Sequence, residues 1–111
     1  MKEEDSITII QEKIDEFINN HGGYWPPLSM LAAIVEEVGE LAREINHLER
    51  YKPKKADKTD MRSLGEELGD IVFSVICLAN FYDIKLNEEI LQVLKKYQKR
   101  DSNRFVWKIF V

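Results

Sequence analysis

The sequence predicts an all-α fold built from four helices, and three observations carry that prediction. Apolar residues recur at three- and four-residue spacing in four separate segments. No segment shows strand-like alternation bounded by hairpin signals. Start and stop signals, among them Gly22-Gly23, Pro26-Pro27 and Asn87, stand at the segment borders. A chain of 111 residues is about one domain's worth, so residues 1–111 are expected to form a single unit with one modest core.

The first helix is predicted from Ile7, Ile10, Ile14, Phe17 and Ile18, with Asp5-Ser6 as N-cap candidates and Gly22-Gly23 as its stop. Tyr24-Trp25-Pro26-Pro27 reads as a stiff, extended link, and Pro27 suits the first turn of the next helix because its missing N–H costs nothing there. The second helix carries Leu31, Ile34, Val35, Val38, Leu41, Ala42, Ile45 and Leu48 as far as about Glu49. Residues 50–60, with Lys52, Pro53, Lys54, Lys55 and Lys58, form a basic connector: a solvated loop, or alternatively a lid that approaches phosphates.

Thr59 or Asp60 caps the third helix, which carries Leu64, Leu68, Ile71, Val72, Val75, Ile76 and Ala79. From Ile71 to Leu78 it is apolar nearly all round. A helix without a polar face is buried on every side, which in so small a domain calls for a partner subunit. Asn87 is expected to cap the fourth helix, with Leu86 and Leu91 as a hydrophobic staple and Ile90, Leu91, Leu94 and Tyr97 toward the core. The apolar tail Phe105–Val111 is expected to pack, either on the chain itself or across an interface between subunits.

Composition narrows the function classes. The net charge of −4 lacks the broad basic surface that non-specific nucleic-acid binding draws on. Cys77 is the one cysteine, so no internal disulfide can form, which fits a reducing cytoplasm. The acidic start Met1-Lys2-Glu3-Glu4-Asp5 is not a signal peptide, and no apolar run approaches membrane-spanning length.

The chemistry sits in the carboxylates. Helix two contains Glu36-Glu37-Val38-Gly39-Glu40 and helix three Glu66-Glu67-Leu68-Gly69-Asp70. At about 100° per residue, Glu36, Glu37, Glu40 and Glu44 fall on one stripe of helix two, and Glu66, Glu67 and Asp70 form another on helix three. An isolated stripe of this kind is usually just solvated. Two at matched spacing, in otherwise apolar helices, point instead to a shared cation, because converging carboxylates repel unless a divalent ion offsets them. Oxygen ligands of this type suit Mg²⁺ or Mn²⁺. Gly39 and Gly69, costly in mid-helix, suggest close helix approach or ligand access. Glu44-Ile45-Asn46-His47 is a single E-x-x-H, whereas di-iron bundles use the element in pairs. His47 reads as an exposed histidine.

These residues resemble the signature of the MazG family of nucleoside triphosphate pyrophosphohydrolases, E-E-x-x-E followed after a gap by E-x-x-D: here Glu36, Glu37, Glu40, then Glu67 and Asp70. The flanking segments LAAIVEEVGELAREI and LGEELGDIVFSVICLAN extend the likeness from about Trp25 to Arg104. The resemblance implies a four-helix MazG-like bundle with an oligomeric core, as a homodimer or dimer of dimers. It implies Mg²⁺ held by Glu37, Glu40, Glu67 and Asp70, with Glu36 orienting or deprotonating water. It also implies phosphate contacts from Lys96 and Arg100, which match a K-x-x-x-R on the last helix. Ser63, with Arg62 beside it, stands where relatives often carry a lysine.

The expected reaction is metal-dependent hydrolysis of a nucleoside triphosphate to the monophosphate and pyrophosphate, a nucleotide-pool housecleaning activity. Trp25 or Tyr24 is placed to stack on the base, or else packs the loop on the core. Two rival readings share the residues: a non-catalytic helical oligomerisation or regulatory module that keeps the metal site, and a hydrolase acting on a non-nucleotide pyrophosphate.

Overall fold

The computed structural model has four α-helices in the order α1 (Ser6–Asn19), α2 (Pro27–Tyr51), α3 (Lys58–Phe81) and α4 (Leu86–Phe110). It describes the backbone of residues 6–51 and 58–110 and the side chains of residues 6–49 and 61–101. Among these there is no strand, and no described helix is long and apolar enough to cross a membrane. Most of the basic connector and the side chains of the apolar tail lie outside the described residues.

The helix borders follow from backbone chemistry. Gly22 and Gly23 adopt φ of 105° and 89°, and the Gly23 N–H donates to Ile18 O at 2.9 Å, closing α1 through the left-handed region that glycine tolerates. Pro27 opens α2 as expected, and the Met30 N–H reaches Pro26 O at 3.1 Å. Asp83, at φ 56°, ends α3 in the same manner, with the Ile84 N–H on Ala79 O at 2.8 Å.

The start of α4 corrects the sequence expectation. The helix begins at Leu86, and the Glu89 N–H donates to Lys85 O at 3.2 Å, so Asn87 lies inside the first turn and is not the cap. The cap comes from another helix: Gln11 on α1 takes the Leu86 N–H on its Oε1 at 2.9 Å. Gln11 is buried and fully engaged, since its Nε2 donates to Asn80 Oδ1 (2.9 Å) and to Ile84 O (3.0 Å). The Asn80 amide donates back to Gln11 O at 3.0 Å, which pins α1 to the end of α3.

Helix α2 lies along α3, α1 packs on α3, and α4 makes its contacts with α1. The α2–α3 seam is lined at alternating three- and four-residue spacing. Half-buried Ile34, Glu37, Leu41, Glu44 and Leu48 come from α2, and Leu64, Glu67, Ile71, Ser74 and Leu78 from α3. Among the described residues the buried apolar ones are Met30, Ile76, Cys77 and Ala79.

A second stripe runs along the outside of the pair. Leu31, Val35, Val38 and Ile45 on α2 and Met61, Leu68, Val72 and Val75 on α3 are exposed, with Val35 at 63% and Val72 at 55%. The sequence marks most of them only by their helical periodicity; in the single chain they face outward. Helix α4 is exposed from Glu88 through Arg100. The radius of gyration is 17.7 Å, against about 13 Å for a compact chain of this length.

Candidate active site

The seam between α2 and α3 turns acidic at its middle. Glu37 and Glu67 occupy seam positions at facing levels of the two helices, and Asp70 follows one turn after Glu67, since residues three apart share a helix face. One carboxylate oxygen from each of Glu37, Glu67 and Asp70 lies within 4.8 Å of the others. Two stripes read separately in the sequence thus meet across one helix pair.

The electrostatics of this trio are strained in a specific way. Glu67 and Glu37 share a hydrogen bond, which requires a proton between two carboxyl groups, and this pushes the Glu67 carboxyl above its ordinary range. Desolvation and the charges of Glu37, Asp70 and Glu40 act in the same direction. Glu67 Oε2 is buried without a hydrogen-bond partner. A buried acceptor in that condition costs free energy unless something outside the chain satisfies it. Three oxygen donors within 4.8 Å and one orphaned oxygen form a donor set that fits a hard divalent cation such as Mg²⁺ or Mn²⁺.

The remaining predicted residues are placed as follows. Glu40 is exposed and stands outside the trio, beside Arg43 at 3.8 Å, although its charge still bears on Glu67. Glu36 is exposed on the neighbouring face of α2. Lys96 and Arg100 lie on exposed α4, which contacts α1 rather than running along the acidic seam. Both flank the Tyr97 ring, at 5.2 Å and 4.6 Å from its centroid. Arg100 is also held by Asp101, with Nε and one terminal nitrogen donating to the two carboxylate oxygens at 3.0 and 2.7 Å. Neither Gly39 nor Gly69 is required by close packing within the chain: a Cβ at either position would meet nothing within 4 Å.

One helical turn from the acids, a largely apolar pocket of about 240 Å³ opens between α1, α2, α3 and the link. Ala33, four residues before Glu37, lines it on α2; Phe73 and Ser74, three and four residues after Asp70, line it on α3. Tyr24 and Trp25 from the link complete a wall, with Trp25 66% exposed at its edge. His21 and Cys77 also line it. The sequence picked out the two link aromatics but not Phe73, Ser74, His21 or Cys77. The signal that would have found the α3 pair was their spacing from Asp70.

Comparison with known proteins converges on one family. The profile of the MazG nucleotide pyrophosphohydrolase domain matches residues 26–105. The chain is 46% identical over 100 residues to YpjD of Bacillus subtilis strain 168, a protein of uncharacterised function, covering 89% of each. It is 30% identical over 84 residues to YvdC of the same organism, also uncharacterised, covering 71% of this chain and 76% of that one. The crystal structure of YPJD from Bacillus subtilis, carried as a candidate pyrophosphatase, superposes with a TM-score of 0.71 at 42% identity, covering 86% of this chain and 98% of that one. A Bacillus-conserved MazG protein, a nucleotide pyrophosphohydrolase, superposes with a TM-score of 0.71 at 38% identity, covering 92% and 99%. On these matches and on the four-helix fold, the chain belongs to the MazG nucleotide pyrophosphohydrolase family.

Proposed function

We propose that this chain hydrolyses a nucleoside triphosphate to the monophosphate and pyrophosphate in a Mg²⁺-dependent reaction, with Mn²⁺ as a possible substitute. The observation that carries the reading is the trio Glu37, Glu67 and Asp70, with Glu67 Oε2 orphaned in a seam one helical turn from an apolar pocket of about 240 Å³. Glu37, Glu67 and Asp70, joined by Glu40 from its outer position, are the residues that would hold the cation. When bound, it would supply Lewis-acid polarisation of the triphosphate and charge stabilisation on the leaving pyrophosphate.

The chain's own groups divide the remaining work. Glu36, exposed one residue from Glu37, orients the attacking water and accepts its proton. Lys96 and Arg100 neutralise phosphate charge, Arg100 after exchanging its Asp101 partner for phosphate oxygens that it can grip in the same two-pronged manner. The pocket takes the base, with Trp25 and Tyr24 offering aromatic faces to it.

The active form in this reading is a homodimer or dimer of dimers in the cytoplasm. The outward stripe from Leu31 to Ile45 on α2 and from Met61 to Val75 on α3 has a-and-d-like spacing, the pattern by which a second helix pair packs. A panel of canonical and modified nucleoside triphosphates, scored for Mg²⁺-dependent pyrophosphate release, tests the reaction. Release of pyrophosphate from at least one is expected. A stable metal-binding oligomer that hydrolyses none of them would identify a non-catalytic module instead.

A further inference from the structure

We propose that Asp15, on α1 and outside the acidic seam, is a positioning residue for the nucleotide pocket, acting through the hydroxyl of Tyr24. The inference rests on the reading of the 240 Å³ pocket as the base site.

Tyr24 is the half-buried wall of that pocket, while its neighbour Trp25 is largely exposed. The link that carries both follows two glycines in left-handed backbone and precedes Pro26-Pro27, so it is tethered at each end but has no helix of its own. What fixes the Tyr24 ring is a side-chain bond: its hydroxyl donates to Asp15 Oδ1 at 2.6 Å, a short, charge-assisted contact. Asp15 is anchored on α1, and α1 is in turn locked to α3 and to the start of α4 by the Gln11–Asn80 exchange and the Leu86 cap.

The pocket wall is therefore set by a frame that touches no part of the substrate. Asp15 itself lines a separate polar groove of about 420 Å³, together with Asn80. Its carboxylate thus holds the wall without lining the base pocket itself. Without that bond the Tyr24 ring gains rotational freedom, and nucleotide binding must then restrict it again. The loss falls on binding rather than on the hydrolytic step, because Asp15 stands away from the acids.

The test is steady-state kinetics with the best triphosphate of the panel for wild type, Tyr24→Phe, Asp15→Ala, Asp15→Asn, the Asp15→Ala/Tyr24→Phe double variant and Trp25→Ala. Binding of the nucleoside monophosphate product, measured by calorimetry without metal, supplies a second readout. Tyr24→Phe and Asp15→Ala are each expected to raise KM and the monophosphate Kd about three- to tenfold, with a much smaller change in kcat. The double variant should match the singles rather than multiply them, since both remove one bond. Asp15→Asn keeps an acceptor oxygen and should recover most of the loss.

Wild-type activity with a KM raised by Trp25→Ala, but unmoved by Tyr24→Phe and Asp15→Ala, would overturn the positioning role while leaving the base pocket standing. Multiplicative losses in the double variant would overturn it as well. A wild type that neither hydrolyses a triphosphate nor binds a monophosphate would remove the functional reading and this role together.

Discussion

Glu67 faces Glu37 across the α2–α3 seam with carboxylate oxygens within 4.8 Å, and Glu67 Oε2 is buried there without a hydrogen-bond partner. One contact therefore reports both the repulsion in the acid cluster and the vacancy in its hydrogen bonding. Removing the charge of Glu67 should separate folding from function. Glu67→Gln retains size and replaces a carboxyl–carboxylate contact with an amide donor to Glu37. We expect the metal-free protein to melt a few degrees higher and the added stabilisation by Mg²⁺ to shrink or vanish. Thermal scans with and without Mg²⁺ check it; a lower melting temperature without metal would mean that the cluster is not under repulsion.

The raised Glu67 carboxyl fixes the sign of a pH effect. Its folded value lies above the unfolded one, so the folded protein binds the proton more tightly. Stability from this group is fully present below the unfolded value and is lost as pH rises through the folded value. Metal-free protein should accordingly lose stability as pH climbs from the ordinary glutamate range toward neutrality. Glu67→Gln should flatten that slope in denaturant titrations followed by circular dichroism.

Tyr24 should be recognisable in a phenol titration. Burial, aided by its bond to Asp15, pushes its hydroxyl up to about 12. Tyr24 is expected to ionise late in an ultraviolet titration, and Tyr24→Phe should remove that late step. Because this folded value lies above the unfolded one near 10, the associated stability is present below about pH 10 and disappears as pH rises toward 12. A titration without a late phenol would show that the Tyr24 hydroxyl is not buried against Asp15 in solution.

Self-association follows from the exposed stripe. Val72 is 55% exposed within the single chain, in the middle of a helix with apolar residues on nearly every face. Light scattering at micromolar concentration should give at least twice the single-chain mass. Val72→Asp, which sets a charge on the stripe, should lower both the mass and the melting temperature. An unchanged mass would place the interface elsewhere.

The fold was legible because helical periodicity, stop glycines and the Pro27 start are local signals, and four helices appear, although α3 begins at Lys58, so that Thr59 and Asp60 lie inside it, and α4 begins before Asn87. The acid trio was legible for the same reason: two stripes of fixed spacing leave few ways for adjacent helices to pack. What local rules could not reach was long-range. The α4 cap comes from Gln11, 75 residues away, so the nearby Asn87 offered a plausible but unused substitute. The outward face of Val72 agrees with the all-round apolar run of α3, whereas the periodicity of Val35 marked a helix without saying which face it presents. Phe73 and Ser74 were absorbed into the apolar run of α3, although their offsets from Asp70 carry them to the pocket.

The basic residues of α4 should affect substrate and not metal. Lys96→Ala is expected to raise KM several-fold and lower kcat/KM, while the Mg²⁺-induced change in melting temperature stays as in wild type. Loss of the Mg²⁺ response in that variant would assign Lys96 a part in shaping the acid cluster instead.

The central claim is that the acids joining α2 to α3 form a working metal site. It is tested most directly by Mg²⁺-dependent pyrophosphate release from wild type and Asp70→Asn, a substitution that preserves size and removes one charge from the trio. The account predicts pyrophosphate release by the wild type that is abolished by chelation, and a loss of at least about 100-fold in Asp70→Asn at equal Mg²⁺. Full activity in Asp70→Asn, with an undiminished Mg²⁺ response, would contradict it and leave the three carboxylates as a charged seam between two helices.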